Sequence, residues 1–561
     1  MNKGFFCLAL AGAALTLTGC SKKLGQFQAD YFNTNPTPLE TVGTNVPANI
    51  TASIPAKFMV KNAKVTATPV LTWGYDGKAA GTPTVFQGEN VRDNGQVVSY
   101  ENGGTVTIPF SVAYTPDMAQ SDLYIDFNVQ QGNKTYNLPR VKVGDGVIAT
   151  STLASAETVV PALAKDKFQK VITEKYTADI HFLINQANVR SSETASTDYI
   201  DLNKKLVEAN QAPNMEIAGV TVNSYASPEG ALEFNTQLAE KREKNTTSMI
   251  ESQLKKDKIS EFGELTSSFT PEDWEGFQQL VEKSNIQDKE LILSVLSMYK
   301  DPQDREREIR NLSSVFNELA DQILPQLRYS RVQASINVIG KSDEELINTF
   351  NADPSKLTVD EILYIATLTD NNTKKMGVYR KATEVYPNDY RGFNNLGLTQ
   401  YVAKDYNAAA ANFDRAARLA PDSKEVAMNK GLVDMLRQNY TTANVNFGTA
   451  AGVPEAADAL GVYYLSQGDN AKAVNAFGDI KTNNAAVAQI LAKDYSKAKQ
   501  TLAAIPHPDA TTYYLTAILG ARTGNENMVM SNLRQAARLD SSLISRAKSD
   551  KEFANYNLSF L

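Results

Sequence analysis

Cysteine and histidine are the side chains most able to do chemistry, and this sequence almost lacks both. Its cysteines are Cys7 and Cys20, and its histidines are His181 and His507. A chain so poor in thiol and imidazole has little from which to build a nucleophile–base pair, a zinc cluster or a disulfide framework. No GxSxG or HExxH pattern is present. These absences point away from an enzyme and from any metal or other cofactor. Net charge is −7, or −8 once a leader holding Lys3 is removed, and the acidity is spread along the chain. A nucleic-acid partner would call for a basic stripe instead.

The placement of Cys20 is informative. Met1–Gly19 has a basic start at Lys3 and a short apolar run over Phe5–Leu17, too short for a permanent membrane span. It ends Leu17-Thr18-Gly19-Cys20, which resembles a bacterial lipobox. The resemblance implies cleavage before Cys20 and attachment of diacylglycerol and fatty acid, such as palmitate, to that residue. A multi-chain anchor of this kind holds a bilayer nearly permanently, at about 0.8 kcal/mol per buried methylene. Ser21-Lys22-Lys23 follows, without the acidic residues usual in surface-exported lipoproteins of the Bacteroidetes. The expected location is therefore the periplasmic face of the outer membrane.

The chain's 561 residues exceed what one hydrophobic core supports, so about three domains are expected. Residues 20–49, rich in Thr, Asn and Pro, read as a flexible tether. Residues 50–150 read as a β-sandwich. Val106, Ile108, Phe110 and Val112 alternate with other residues, as do Leu123, Ile125, Phe127 and Val129, and glycine turns punctuate the runs. Residues 165–345 read as α/β, with strand patterns at Ile180–Ile184, Ile217–Tyr225 and Val332–Val338, a helix over Ala231–Leu254, and a helical insertion over about 259–325.

That α/β segment carries Ser227-Pro228-Glu229-Gly230, then Asn235, Leu238 and Arg242, and later Leu327-Arg328-Tyr329-Ser330-Arg331-Val332. In this it resembles the OmpA-like, peptidoglycan-binding domain, in its Bacteroidetes variant. The resemblance implies contact with the stem peptide of the wall polymer, with Arg242 as the cation for a carboxylate. A bidentate guanidinium suits that task. Asn235 and Arg331 stand at further positions of the family pattern. Ser227 stands where the family has aspartate and cannot neutralise an ammonium, whereas Glu229 in the same turn can.

From 356 to 561 a period near 34 appears. The clearest unit begins at Tyr390 and holds Phe393, Leu396, Gly397, Ala409, Phe413, Ala416 and Pro421. Gly431, Ala443 and Phe447 repeat the pattern, then Gly461, Ala473 and Phe477. These units resemble the tetratricopeptide repeat (TPR), which implies an all-α superhelix whose groove holds an extended peptide or partner helix. Asn394, Tyr401 and Asn429 are placed where they could face that groove. The expected protein is a non-catalytic scaffold that touches lipid, peptidoglycan and an envelope protein. The alternative is a surface adhesion or fimbria-related subunit whose OmpA-like domain has lost wall binding.

Overall fold

A computed structural model describes residues 23–286, 289–311 and 313–561. The leader and Cys20 lie outside the described residues. Two compact units are present: the chain up to Lys165 together with Thr369–Leu561, and Asp166–Leu368. Among the described residues no helix is long and apolar enough to cross a membrane.

The first unit opens with a β region of two sheets around one core. One sheet pairs Phe32–Asn35, Asn45–Ile54 and Gly104–Ala113. The other is built on Ala63–Trp73, Ser121–Gln131 and Lys134–Asp145. Val106, Ile108 and Phe110 from one sheet and Leu123, Ile125, Phe127 and Val129 from the other are buried in that shared core. The tether expected over 20–49 needs correction across its described part. Leu24, Phe27, Leu39, Val46 and Ala48 are buried, and Phe27 stacks on Phe127 at 4.4 Å. Thr, Asn and Pro dominate this stretch in number. Val46 and Ala48 alternate into the core from strand Asn45–Ile54, while Leu24, Phe27 and Leu39 pack on that core from outside the strand, and burial at about 25 cal/mol per Å² of apolar surface docks the stretch.

The same unit ends in a run of paired helices: Tyr390–Val402 with Tyr406–Leu419, Lys424–Leu436 with Tyr440–Thr449, Ala456–Ser466 with Asn470–Phe477, Asn483–Leu491 with Tyr495–Ala503, and Ala510–Arg522 with Glu526–Leu539. Asn372–Val385 precedes them and Ser542–Ser549 follows. Leu396, Ala409, Phe413 and Ala416 are buried at the first pairing. Phe393 is half-buried beneath the Arg415 guanidinium, and Pro421 lies just past the helix end at Leu419.

Gly397, Gly431 and Gly461 each face an aromatic ring of the partner helix. A Cβ built on them would lie 2.7 Å from Phe413, 2.5 Å from Phe447 and 2.4 Å from Phe477. The glycine is what lets the two helices close on the ring. Gly461→Ala should therefore lower stability by about 1–3 kcal/mol through overpacking, against a helix-propensity gain of about 1 kcal/mol. The urea unfolding midpoint measures the balance, and an unchanged or raised midpoint would remove the packing explanation.

The second unit has a four-stranded sheet in the order Val171–His181, Tyr329–Ile339, Met215–Tyr225, Glu264–Thr270. Each adjacent pair among the first three is antiparallel, and the last is parallel to Met215–Tyr225. Thr197–Gln211 and Leu232–Lys256 pack on the sheet, burying Leu202, Leu206, Ile250 and Leu254 against Val220, Val222 and Val332. The helical insertion expected over 259–325 begins instead with a strand, because Glu264–Thr270 completes the sheet edge. Helices then run from Trp274 to Gln322 and enclose a small core of their own, including Phe277, Val281, Ile292 and Leu319. The unit also reaches beyond the expected boundary at 345. Phe168 packs on Tyr364 at 4.4 Å, Lys341 pairs with Glu361, and the Lys167 amide donates to Asp360, which holds Asp343–Leu368 to it.

Candidate functional site

In the second unit, three strands bring their termini together at one end of the sheet. His181 pairs with Tyr329, and Ser224 with Ser330. The chain leaving His181, the turn after Tyr225 and the residues entering Tyr329 therefore meet in one place. A cavity of about 430 Å³ opens there. Ser227, Glu229, Asn235 and Arg242 line it, with Arg310 and Arg328.

The turn Ser227–Gly230 is closed by Asn235, whose side-chain amide donates to the Gly230 carbonyl at 2.9 Å. Ser227 Oγ donates to Glu229 Oε1 at 2.8 Å. Arg328 grips the same carboxylate with two nitrogens, Nε to Oε1 at 3.0 Å and Nη2 to Oε2 at 3.1 Å. The Arg328 and Glu229 side chains are only 11% and 19% exposed, so this pair is far less screened than a surface ion pair. Arg310 reaches in from helix Pro302–Asn311, donating to the Glu229 carbonyl and pairing with Glu306. Arg310 and Arg328 thus stand beside Glu229 and Glu306, with Glu272 within 3.5 Å of the Asn235 amide, and guanidiniums are the groups here suited to an anion such as a carboxylate.

Arg242, expected as the cation for a ligand carboxylate, is engaged with the protein's own backbone. It is 1% exposed, and its nitrogens donate to the carbonyls of Gln186 at 3.0 Å, Tyr225 at 2.8 Å and Leu183 at 3.4 Å. Its guanidinium also lies over the Phe182 ring at 5.0 Å. Burial, with Arg328 nearby, lowers its pKa to about 10 although Glu229 opposes the shift, so it stays charged at neutral pH. Arg242 binds together the strand ends that form the cavity wall. Arg331 is a correction. It does not line the cavity, but pairs with Asp179 on the adjacent strand at 2.8 and 2.7 Å and covers Tyr329. Alternation along the strand puts it apart from Arg328 and on the Asp179 partner. Sequence reasoning missed Arg328 and Arg310 as cavity residues. Arg328 was visible in the quoted motif, three positions before Arg331, whereas Arg310 had no signal because it comes from the insertion. Among the described residues no group of three or more His, Cys, Asp or Glu side chains is placed to hold a metal ion.

A second site lies on the repeats, along the face made by the first helix of successive pairs. It is occupied by residues 149–165 of the same chain. Asn429 takes the Ala162 amide on Oδ1 at 2.6 Å and donates to the Ala162 carbonyl at 2.8 Å. Asn395 does the same to Ala164, at 3.0 and 2.9 Å. Asn484 holds both main-chain groups of Ser155, at 3.1 and 3.4 Å, and Tyr401 donates to the Ala156 carbonyl at 2.6 Å. Asn394 also donates to the Ala162 carbonyl and accepts from Asn429. The groove-facing placement of Asn394, Tyr401 and Asn429 is what the structure has, and the peptide they hold is the chain's own.

Beside Asn484, Asp458 is buried and accepts from Thr482 at 3.3 Å. Burial pushes its pKa up to about 6, with Asn484 and Thr482 opposing. A carboxyl whose folded pKa exceeds its unfolded value favours the folded state at low pH. That contribution is lost as pH rises from about 4 to 6, by roughly 2–3 kcal/mol. Asp458→Asn should therefore stabilise the repeats at pH 7.5 and leave them nearly unchanged at pH 4. Denaturant midpoints at the two pH values check this, and an equal effect at both would contradict it.

The fold defines the first unit as a mixed-sheet region followed by a tetratricopeptide-like helical run. No protein-family model and no curated protein matches the chain. Solved structures similar to it include a tetratricopeptide repeat protein from Parabacteroides merdae, at 14% identity and TM-score 0.30 over 38% of this chain and 91% of that one. PilF of Pseudomonas aeruginosa is similar at 16% and 0.28, over 34% and 94%. YrrB, a TPR protein with an unusual peptide-binding site, is similar at 16% and 0.22, over 37% and 99%. Scores this low carry no argument, and the repeat architecture rests on the helix pairs and their glycine–phenylalanine contacts.

Proposed function

We propose that this protein is a non-catalytic envelope scaffold, a lipoprotein anchored through Cys20 in the outer membrane and facing the periplasm. Its 166–368 unit, which resembles the OmpA-like domain, contacts peptidoglycan, and its repeat-bearing unit holds an envelope protein. The observation that carries the wall-binding part is the cavity at the strand ends. Four of the five residues singled out from the sequence line it, and Arg310 and Arg328 add positive charge suited to a stem-peptide carboxylate.

The test is co-sedimentation of the mature full-length chain with purified peptidoglycan. Arg310→Glu is the informative variant, because Arg310 sits on the cavity rim and is half exposed, so the fold should survive its replacement. Wild type should pellet, and free diaminopimelate should release it. Arg310→Glu should weaken binding about tenfold or more, a loss of about 1.4 kcal/mol, and rising salt should weaken the wild type. Wild-type chain that stays in the supernatant would remove the wall from the proposal.

A further inference from the structure

The contacts along residues 149–165 go beyond a linker lying on a surface. Asn395, Asn429 and Asn484 each present one acceptor and one donor to the two main-chain groups of a single strap residue. A helical ligand could not satisfy them, because its amides and carbonyls are already paired within the helix. A ligand read this way is extended at the residues that are read, Ser155, Ala162 and Ala164, with single 3-10 turns at Thr150–Leu153 and Ala156–Thr158 on either side of Ser155, and its side chains must be small where it is enclosed. Ala156, Ala162 and Ala164 are 7%, 1% and 2% exposed, and Val159 is 2% exposed. Ala156, Val159 and Ala162 belong to the same hydrophobic core as the repeat helices.

The asparagines are themselves enclosed. Asn394 and Asn429 are fully buried and Asn395 is 1% exposed. Without the strap, their amides would face one another in a largely apolar wall with fewer partners than donors, which is costly for buried polar groups. The strap is fastened at its start as well. Thr150 donates to Glu552 at 2.6 Å, and Arg546 donates to the Ala149 carbonyl at 3.3 Å.

We infer that this repeat face is a main-chain reader for a peptide that is extended and small-sided at the residues read, that residues 149–165 are its resident ligand, and that the face is closed to a partner's peptide. Covalent attachment gives the strap an effective concentration in the millimolar range or above. A free peptide making the same contacts must outcompete it at that concentration while also displacing side chains that form part of the core. A protein partner of the repeats therefore docks elsewhere on them.

Two measurements on the mature full-length chain test this. A fluorescent peptide of residues 149–165 is titrated against it, and amide hydrogen exchange is followed through the strap. The expected result is no uptake of peptide at micromolar concentrations. The Ala162 and Ala164 amides should exchange as slowly as those of helices Tyr390–Val402 and Lys424–Leu436, through the same opening. In Asn395→Ala, the Ala164 amide should exchange at least tenfold faster than those helices. Saturable uptake by wild type, or strap amides that exchange far faster than the flanking helices, would overturn the inference and make the strap a displaceable placeholder.

Discussion

Arg242→Ala is expected to unfold the edge of the 166–368 unit rather than to remove a ligand contact alone. Arg242 is buried, and its guanidinium serves the carbonyls of Leu183, Gln186 and Tyr225. Alanine would leave a void beside Phe182 and three acceptors without this donor. The expected loss is about 3–5 kcal/mol, within the range for breaking a buried charged network. Arg242→Lys should recover only part of it, because one ammonium cannot reach three carbonyls in divergent directions. Thermal unfolding and hydrogen exchange over 182–186 are the measurements. An Arg242→Ala chain as stable as wild type would mean that the carbonyls find water at no cost. The result also governs how the wall-binding test is read. Loss of binding in Arg242→Ala would report a collapsed cavity, whereas loss in Arg310→Glu would report the cavity's charge.

The second large effect is expected at Asn429. Alanine there removes both contacts with Ala162 and the bond to Asn394, all within the repeat core. Destabilisation by about 3 kcal/mol is expected, since several buried polar groups lose a partner together. Asn429→Asp is the sharper variant. It keeps the shape and the acceptor for the Ala162 amide, but replaces the donor to the Ala162 carbonyl with a second acceptor and buries a charge. It should be at least as damaging as alanine at neutral pH. Denaturant unfolding gives the magnitude, and limited proteolysis gives the place, with new cleavage within 149–165. Full stability in Asn429→Asp would show that the strap is held by apolar burial and not by its amides.

Much of the repeat region was legible because its constraints are on residue type at fixed spacing. Gly397, Gly431 and Gly461 have to be small because Phe413, Phe447 and Phe477 stand against them, and such pairs recur visibly along a sequence. The alternating strands of the β region were legible for a similar reason. The asparagine clamp was only hinted at. A buried asparagine on a helix has no periodic signature, and its partner, Ala162, lies 267 positions away in the chain. The stretch before residue 50 was misread because composition outweighed pattern. Val46, Ala48, Ile50, Ala52 and Ile54 form one alternating set that crosses the expected boundary. At the cavity, the turn and helix motif named residues that the fold brings together. It could not distinguish an arginine that faces the cavity from one that braces its wall, because that depends on which carbonyls the fold brings within reach.

The strap also has a consequence in time. Ala164 is bonded to Asn395 across 231 positions, and Ser155 to Asn484 across 329. These residues are synthesised long before the helices that receive them. Closing contacts of such separation is slow, since the chain loses loop entropy before the contacts form. Until helix Asn483–Leu491 exists, Ser155 has no Asn484 to meet, and an unfilled acceptor face is present while the later helices form. In the interval between completion of the repeats and arrival of the strap, the equivalent strap of a neighbouring copy can enter this face by mistake.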